Sequence, residues 1–138
     1  TRKYLKDSNY ELALVIKQTW LDLILAGKKT WEIRGKPVVM RRIVSLAQSR
    51  SGKLFGTARI TDCIEIDKAH LSDHVAKHCI NQPSIVKYKR VWAWVLQDVT
   101  RFEEPKPYDH PKGAVTWVRI GQKALPAKGA CCSAPACR

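Results

Sequence analysis

The chain has 138 residues, 45% of them hydrophobic, and 25 Lys plus Arg against 12 Asp plus Glu give a formal net charge of +13. That length supports one core of ordinary size and excludes two independent domains of typical dimensions, while no window approaches the roughly 18 consecutive apolar residues of a membrane span. So large a positive excess is the footprint of a protein that meets phosphates, and its spread from Lys28 to Lys53 and again over Lys87, Lys89 and Arg90 suits a groove tracking a nucleic-acid backbone.

Residues 1–11 read as an extension; Thr1 to Lys6 lack the apolar stretch of a secretory leader, which gives the expectation of a soluble, cytoplasmic protein. Leu12 to Ile16 is a branched apolar run and predicts a strand buried on both faces. Trp20, Leu23 and Ile24 then recur at helical spacing, with Thr19 placed to cap the helix and Gly27 to end it. Lys29 to Arg34 predicts a second strand. Along it, Trp31 and Ile33 point one way while Thr30, Glu32 and Arg34 point the other.

Val38 to Ala47 predicts a third strand, although it carries Arg41 and Arg42. It opens into Gln48-Ser49-Arg50-Ser51-Gly52-Lys53, whose hydroxyls and cations can wrap an anion or simply form a hairpin turn. Leu54 to Ile66 predicts a long strand in which Gly56 marks a bulge or a close backbone approach. From Asp67 to Ile80, Leu71, Val75 and Cys79 give a helical apolar stripe, leaving Lys68, Asp73, His74, Lys77 and His78 on other faces. His70, His74 and His78 share helical spacing, but no carboxylate completes a His-Glu-x-x-His pattern, so no metal site is expected there.

Lys87, Tyr88 and Arg90 interleave cations with an aromatic ahead of a strand from Val91 to Leu96, a pairing suited to base stacking and phosphate contact. Trp92 and Trp94 share one face, and at least one belongs to the core. Residues 105–111 predict a stiff, proline-rich connection without strand or helix, and Val115 to Ile120 a last strand. Beyond Gly121 the composition turns to Ala, Lys, Pro, Gly and Cys, predicting a flexible tail over 121–138. Of the five cysteines, Cys63 and Cys79 read as buried thiols; Cys131, Cys132 and Cys137 lack the paired spacing of a zinc site. Five or six strands without regular helical crossovers argue for a small mixed α+β barrel with two or three short helices over residues 12–120.

The order apolar strand, short helix, Gly27-x-Lys29-x-x-Glu32-x-Arg34 resembles the signature of the ASCH domain, a branch of the PUA-like superfamily. Trp92-Ala93-Trp94-Val95-Leu96, Pro105-Lys106-Pro107-Tyr108 and the run from His110 to Val118 are similar to the closing segments of bacterial ASCH proteins. The resemblance implies a β-barrel with a cleft between barrel and helices that holds RNA or a modified nucleoside. It also implies that catalysis is open, because small members include amidohydrolases of N4-acetylcytidine and a metal-assisted ribonuclease. The hydrolase's lysine falls on Lys29; its threonine falls on Glu32, and its glutamate has no counterpart, which departs from that mechanism.

The expected function is therefore binding of RNA or another single-stranded nucleic acid through a basic cleft that takes a base or nucleotide. The contact set is Lys17, Gln18, Trp20, Lys28, Lys29, Glu32, Arg34, Arg50, Ser51, Lys53, Lys87, Tyr88, Arg90 and His110. Glu32, acceptor-only when ionised, can read an exocyclic amine or fix Arg34. The alternative is a small hydrolase, with Lys29 and Glu32 as its catalytic pair and cationic neighbours lowering the Lys29 pKa, or with a divalent cation if it is a nuclease. No cofactor is otherwise expected, no membrane partner, and the oligomeric state is open.

Overall fold

A run of branched and small apolar side chains suits a strand covered on both sides, because neither face has to meet water. In the computed structural model, which describes residues 11–120, this run becomes β1 (Glu11–Ile16), and Ala13 to Ile16 are all buried. The rest of the expected extension and the cysteine tail lie outside the described residues. Helix α1 (Gln18–Leu25) follows at once and buries Leu21 and Ile24. Its start departs from expectation: Lys17 occupies the N-cap position and no side chain caps the helix, so Thr19 sits inside the first turn. Its end is as read. Gly27 adopts φ +82, its N–H donates to the Ile24 carbonyl at 3.0 Å and the Lys28 N–H to the Leu23 carbonyl at 2.9 Å, the paired bonds of a Schellman stop.

The remaining strands are β2 (Trp31–Arg34), β3 (Ile43–Gln48), β4 (Lys53–Ile66), β5 (Val91–Pro107) and β6 (Trp117–Ile120). They form one mixed sheet in the order β2-β5-β4-β3-β1-β6, with β1 parallel to β3 and the other pairs antiparallel. The fold is α+β, as expected, but the sheet is open. β2 and β6 are its two edges, so the hydrogen-bond ladder does not close into the expected barrel.

Side chains span that seam instead. Arg34 on β2 donates from Nη2 to the Val15 carbonyl of β1 at 2.9 Å, and the Trp94 and Trp117 indoles stack with centroids 5.8 Å apart. The largest apolar cluster, around Leu14, Ile16, Leu46, Ile60 and Leu96, packs between sheet and α1; Ile33, Ile66, Leu71, Ile80 and Val91 form a second one beneath the β4–β5 connection.

Three further expectations are corrected. Residues 38–42 are not strand, because Arg41 Nη1 donates to the carbonyls of Val38, Val39 and Met40 and holds them in a loop. The helix expected over 67–80 is a 3-10 segment (Lys68–His74) followed by a single turn, α2 (Val75–His78), that stops where Cys79 takes φ +62. A second 3-10 turn (Pro83–Ile85) leads towards β5. Finally, β5 runs on through Pro105 to Pro107, where a connection was expected. Its pairing jumps from Gly56↔Arg101 to Leu54↔Lys106, and prolines are tolerated at such irregularities because the missing N–H breaks no regular ladder.

Gly56 is both bulge and close approach: a Cβ there would run into the Thr100 carbonyl oxygen and lie 3.0 Å from Leu25 Cδ2. Backbone cannot yield as a side chain can. Gly56→Ala is therefore expected to destabilise the protein by about 1–3 kcal/mol in urea denaturation, the usual range for overpacking, and an unchanged midpoint would contradict this packing.

Candidate functional site

The Schellman stop delivers the chain straight into Lys28-Lys29-Thr30, and two backbone bonds pin that corner. Thr30 donates to the Lys77 carbonyl at 2.9 Å and accepts from Leu96 at 2.8 Å. Side chains of β2 then alternate as the spacing required, Trp31 and Ile33 joining the second apolar cluster while Glu32 stands opposite Trp94. The polar face is not solvated. Lys29 is 1% exposed and Glu32 5%, so a pattern that reads as half-wet strand is a buried charge cluster at the base of a cleft.

Within it, Glu32 Oε2 accepts from Arg34 Nε at 2.8 Å and Glu32 Oε1 lies 3.8 Å from Lys29 Nζ. The Lys29 ammonium donates to the His78 carbonyl at 2.7 Å and sits 5.0 Å from the centre of the Trp20 ring, a cation–π contact. Burial, before any other cause, holds the Lys29 amine below the ordinary lysine range; Glu32 opposes this shift, and the Arg34 charge adds to it only as a lesser cause. The expected lowering by neighbouring cations is thus corrected to a desolvation effect.

The cleft measures about 520 Å³ and opens between the end of β1, the start of α1, β2 and the 80–88 segment. Its lining includes Lys17, Trp20, Glu32, Arg34, Lys87 and Tyr88 from the expected contact set. Tyr88 is 42% exposed, and its ring lies so close over Gly35 that a Cβ there would stand 2.6 Å from Tyr88 Cδ1. Lys29 lies behind this surface rather than in it.

Arg50 and His110 line an adjoining groove of about 560 Å³ that shares Val15, Ser49 and Val115 with the cleft. Tyr108 and the Ala114 carbonyl bracket the His110 ring at 2.7 and 2.8 Å. Gln18, Lys28 and Lys53 are exposed and line neither space. Ser51 is committed to the turn, donating to the Gln48 carbonyl at 2.8 Å and accepting from the Lys53 N–H at 3.0 Å. Arg90 faces a third surface, where it forms a two-bond fork with Glu65 at 2.8 Å for each bond. The sequence pattern could not supply Ile80, Val86 or Val115, which line the cleft through packing of distant loops, and it offered Ser49 only as part of an anion-wrapping or hairpin loop.

His78 is the other residue that periodicity misplaced. Fully buried, its Nδ1 accepts from the Ile80 N–H at 2.9 Å, so Nε2 carries the proton and donates to the Leu71 carbonyl at 2.7 Å. Burial pushes its pKa down from about 6.5. Below that value the unfolded chain takes up a proton that the folded ring refuses, so stability falls as pH drops from 6.5 towards the lower folded pKa. Urea midpoints taken from neutral to mildly acidic pH are expected to show this slope, and His78→Gln to lessen it; equal slopes in the two proteins would refute the assignment.

Among the described residues, no three His, Cys, Asp or Glu side chains gather as a metal site requires, and no helix is long and apolar enough to cross a membrane. No curated protein sequence matches this chain. The solved structures it resembles include an ASCH protein from Zymomonas mobilis, at 14% identity and a TM-score of 0.64 over 83% of this chain and 90% of that one. Two single-residue variants of that protein align equally well, with TM-scores of 0.64 and 0.65 over 91% and 93% of their chains. At such identity the likeness speaks to the fold alone. The ASCH domain sequence pattern, however, matches residues 14–106, which takes in the second half of β1, the signature strand and nearly all of β5. The protein therefore belongs to the ASCH domain family.

Proposed function

We propose that this ASCH domain binds single-stranded RNA and that its cleft takes one base or nucleotide. The observation that carries this reading is Glu32, a carboxylate 5% exposed on the lining of an otherwise basic cleft, with Trp20 and Tyr88 in the same lining. Aromatic walls offer a stacking surface to any base, Lys17 and Lys87 offer donors to phosphates, and a buried acceptor can read a base edge. Arg50 and His110 in the adjoining groove give the strand a continuation. A cytoplasmic setting and the absence of a membrane partner belong to the same proposal.

The test is a salt titration of binding to labelled single-stranded RNA. Affinity is expected to fall log-linearly with salt, and the Lys17→Ala, Lys87→Ala double variant to flatten the slope by roughly 1.4, two phosphate contacts at about 0.7 each. Binding too weak to measure at low salt would sink the proposal.

Amide hydrolysis of a modified nucleoside is the second reading, favoured by one observation: burial holds the Lys29 amine below its ordinary range, as a general base needs. Against it, that amine bonds to the His78 carbonyl and does not line the cleft. Release of acetate from N4-acetylcytidine, lost in Lys29→Ala, would support it. A divalent cation for ribonuclease chemistry finds no three-ligand cradle among the described residues.

A further inference from the structure

Resting on the reading of the cleft as a base site, we infer that the base it takes is guanine, recognised by the Glu32 carboxylate. Buried acceptors are almost always hydrogen-bonded, yet Glu32 Oε1 accepts no hydrogen bond from the protein among the described residues, its contact with Lys29 being 3.8 Å. Oε2 accepts one, from Arg34 Nε at 2.8 Å, and keeps further lone-pair capacity. Lying in the cleft lining, this carboxylate calls for donors from whatever the cleft receives.

The four bases differ in what they can give. Guanine sets two donors side by side on its pairing edge, N1–H and the N2 amine, and so can serve both oxygens of one carboxylate. Adenine and cytosine set their amine beside an unprotonated ring nitrogen, whose lone pair would face the second oxygen. Uracil has one N–H between two carbonyls, which repel a carboxylate on either side. The O6 carbonyl of guanine, next to N1–H, also falls towards the positive charge that Arg34, Lys17 and Lys87 bring to the cleft. A carboxylate set among cations is thus complementary to the whole guanine edge, and Trp20 and Tyr88 supply faces on which any base could stack.

The experiment titrates the wild-type protein calorimetrically with the 5′-monophosphates of guanosine, adenosine, cytidine, uridine and inosine. Inosine keeps O6 and N1–H but lacks the N2 amine, so it isolates one donor to the carboxylate. Guanosine monophosphate is expected to bind tightest, with inosine monophosphate weaker by roughly tenfold or more, the worth of one hydrogen bond to a charged acceptor. Glu32→Gln is expected to erase that gap, with thermal unfolding confirming that the variant folds; should it not fold, the wild-type comparison decides alone. Equal affinity for the guanosine and inosine nucleotides overturns the guanine assignment and leaves the base-binding cleft standing. Binding of none of the five overturns both.

Discussion

Glu32→Ala is expected to lower the stability of the folded protein by about 3–5 kcal/mol, the cost of removing one partner from a buried charge cluster. Its carboxylate lies 2.8 Å from Arg34 Nε and 3.8 Å from Lys29 Nζ, and the lysine is 1% exposed. Without the anion, the buried Lys29 ammonium and the partly buried Arg34 guanidinium face each other with no countercharge between them. Lys29 can answer only by losing its proton, which burial already favours. Guanidinium denaturation measures the loss, and a double-mutant cycle with Lys29→Met locates it. If the pair is coupled as its geometry indicates, the double variant recovers part of the deficit, because a methionine fills the space without an unpaired charge. A Glu32→Ala loss under about 1 kcal/mol would mean that the cluster is hydrated in solution and worth no more than a surface ion pair. The Lys29→Met protein carries a second expectation. A lysine whose folded pKa lies below the ordinary 10.5 makes the native state gain stability as pH rises from that folded value towards 10.5, and the variant should lack this gain.

Arg34→Lys, conservative in charge, is expected to be costly: about 1.5–3 kcal/mol, the worth of a charge-assisted hydrogen bond that the lysine cannot replace. The guanidinium uses its shape three ways. Nε bonds Glu32, Nη2 bonds the Val15 carbonyl at 2.9 Å, and Cζ lies 5.5 Å from the centre of the Trp94 ring. A single ammonium on a flexible stem cannot hold a carboxylate of its own strand and a carbonyl of β1 at once. Because the seam between β2 and β6 has no backbone ladder, this loss is expected to appear locally. Amide exchange in Trp31–Arg34 should quicken more than in the central strand β4, whose partners flank it on both sides. Uniform protection in the variant would show that the stacked tryptophans hold the seam unaided.

Much of this was legible in the sequence, and the reason is local. The β1 run, the Gly27 stop, the alternation along β2, the Gly56 bulge and the β6 strand each depend on side chains within a few residues of one another, whose period and turn chemistry act at short range. What periodicity got wrong was decided at long range. The stripe through Leu71, Val75 and Cys79 promised a helix, but the second apolar cluster draws His78 inward, where the Leu71 carbonyl and the Ile80 N–H satisfy both ring nitrogens. Pro105 and Pro107 promised a connection, yet pairing with β4 extends β5 through them at a register shift.

The site divides in the same way. From the sequence alone come the family signature, the positive charge and the presence of Lys29, Glu32 and Arg34 on one stretch of chain, because those are properties of composition and neighbouring positions. Only the tertiary structure decides that Lys29 is sealed behind Trp20, that Glu32 lines the cleft with one oxygen lacking a donor among the described residues, that Ser51 belongs to a turn and that Arg90 faces another surface. That burial joins near and distant parts of the chain, Trp20 on one side of Lys29 and the His78 carbonyl, 49 positions along the chain, bonded to its ammonium, and the desolvation turns a string of ordinary charges into a site.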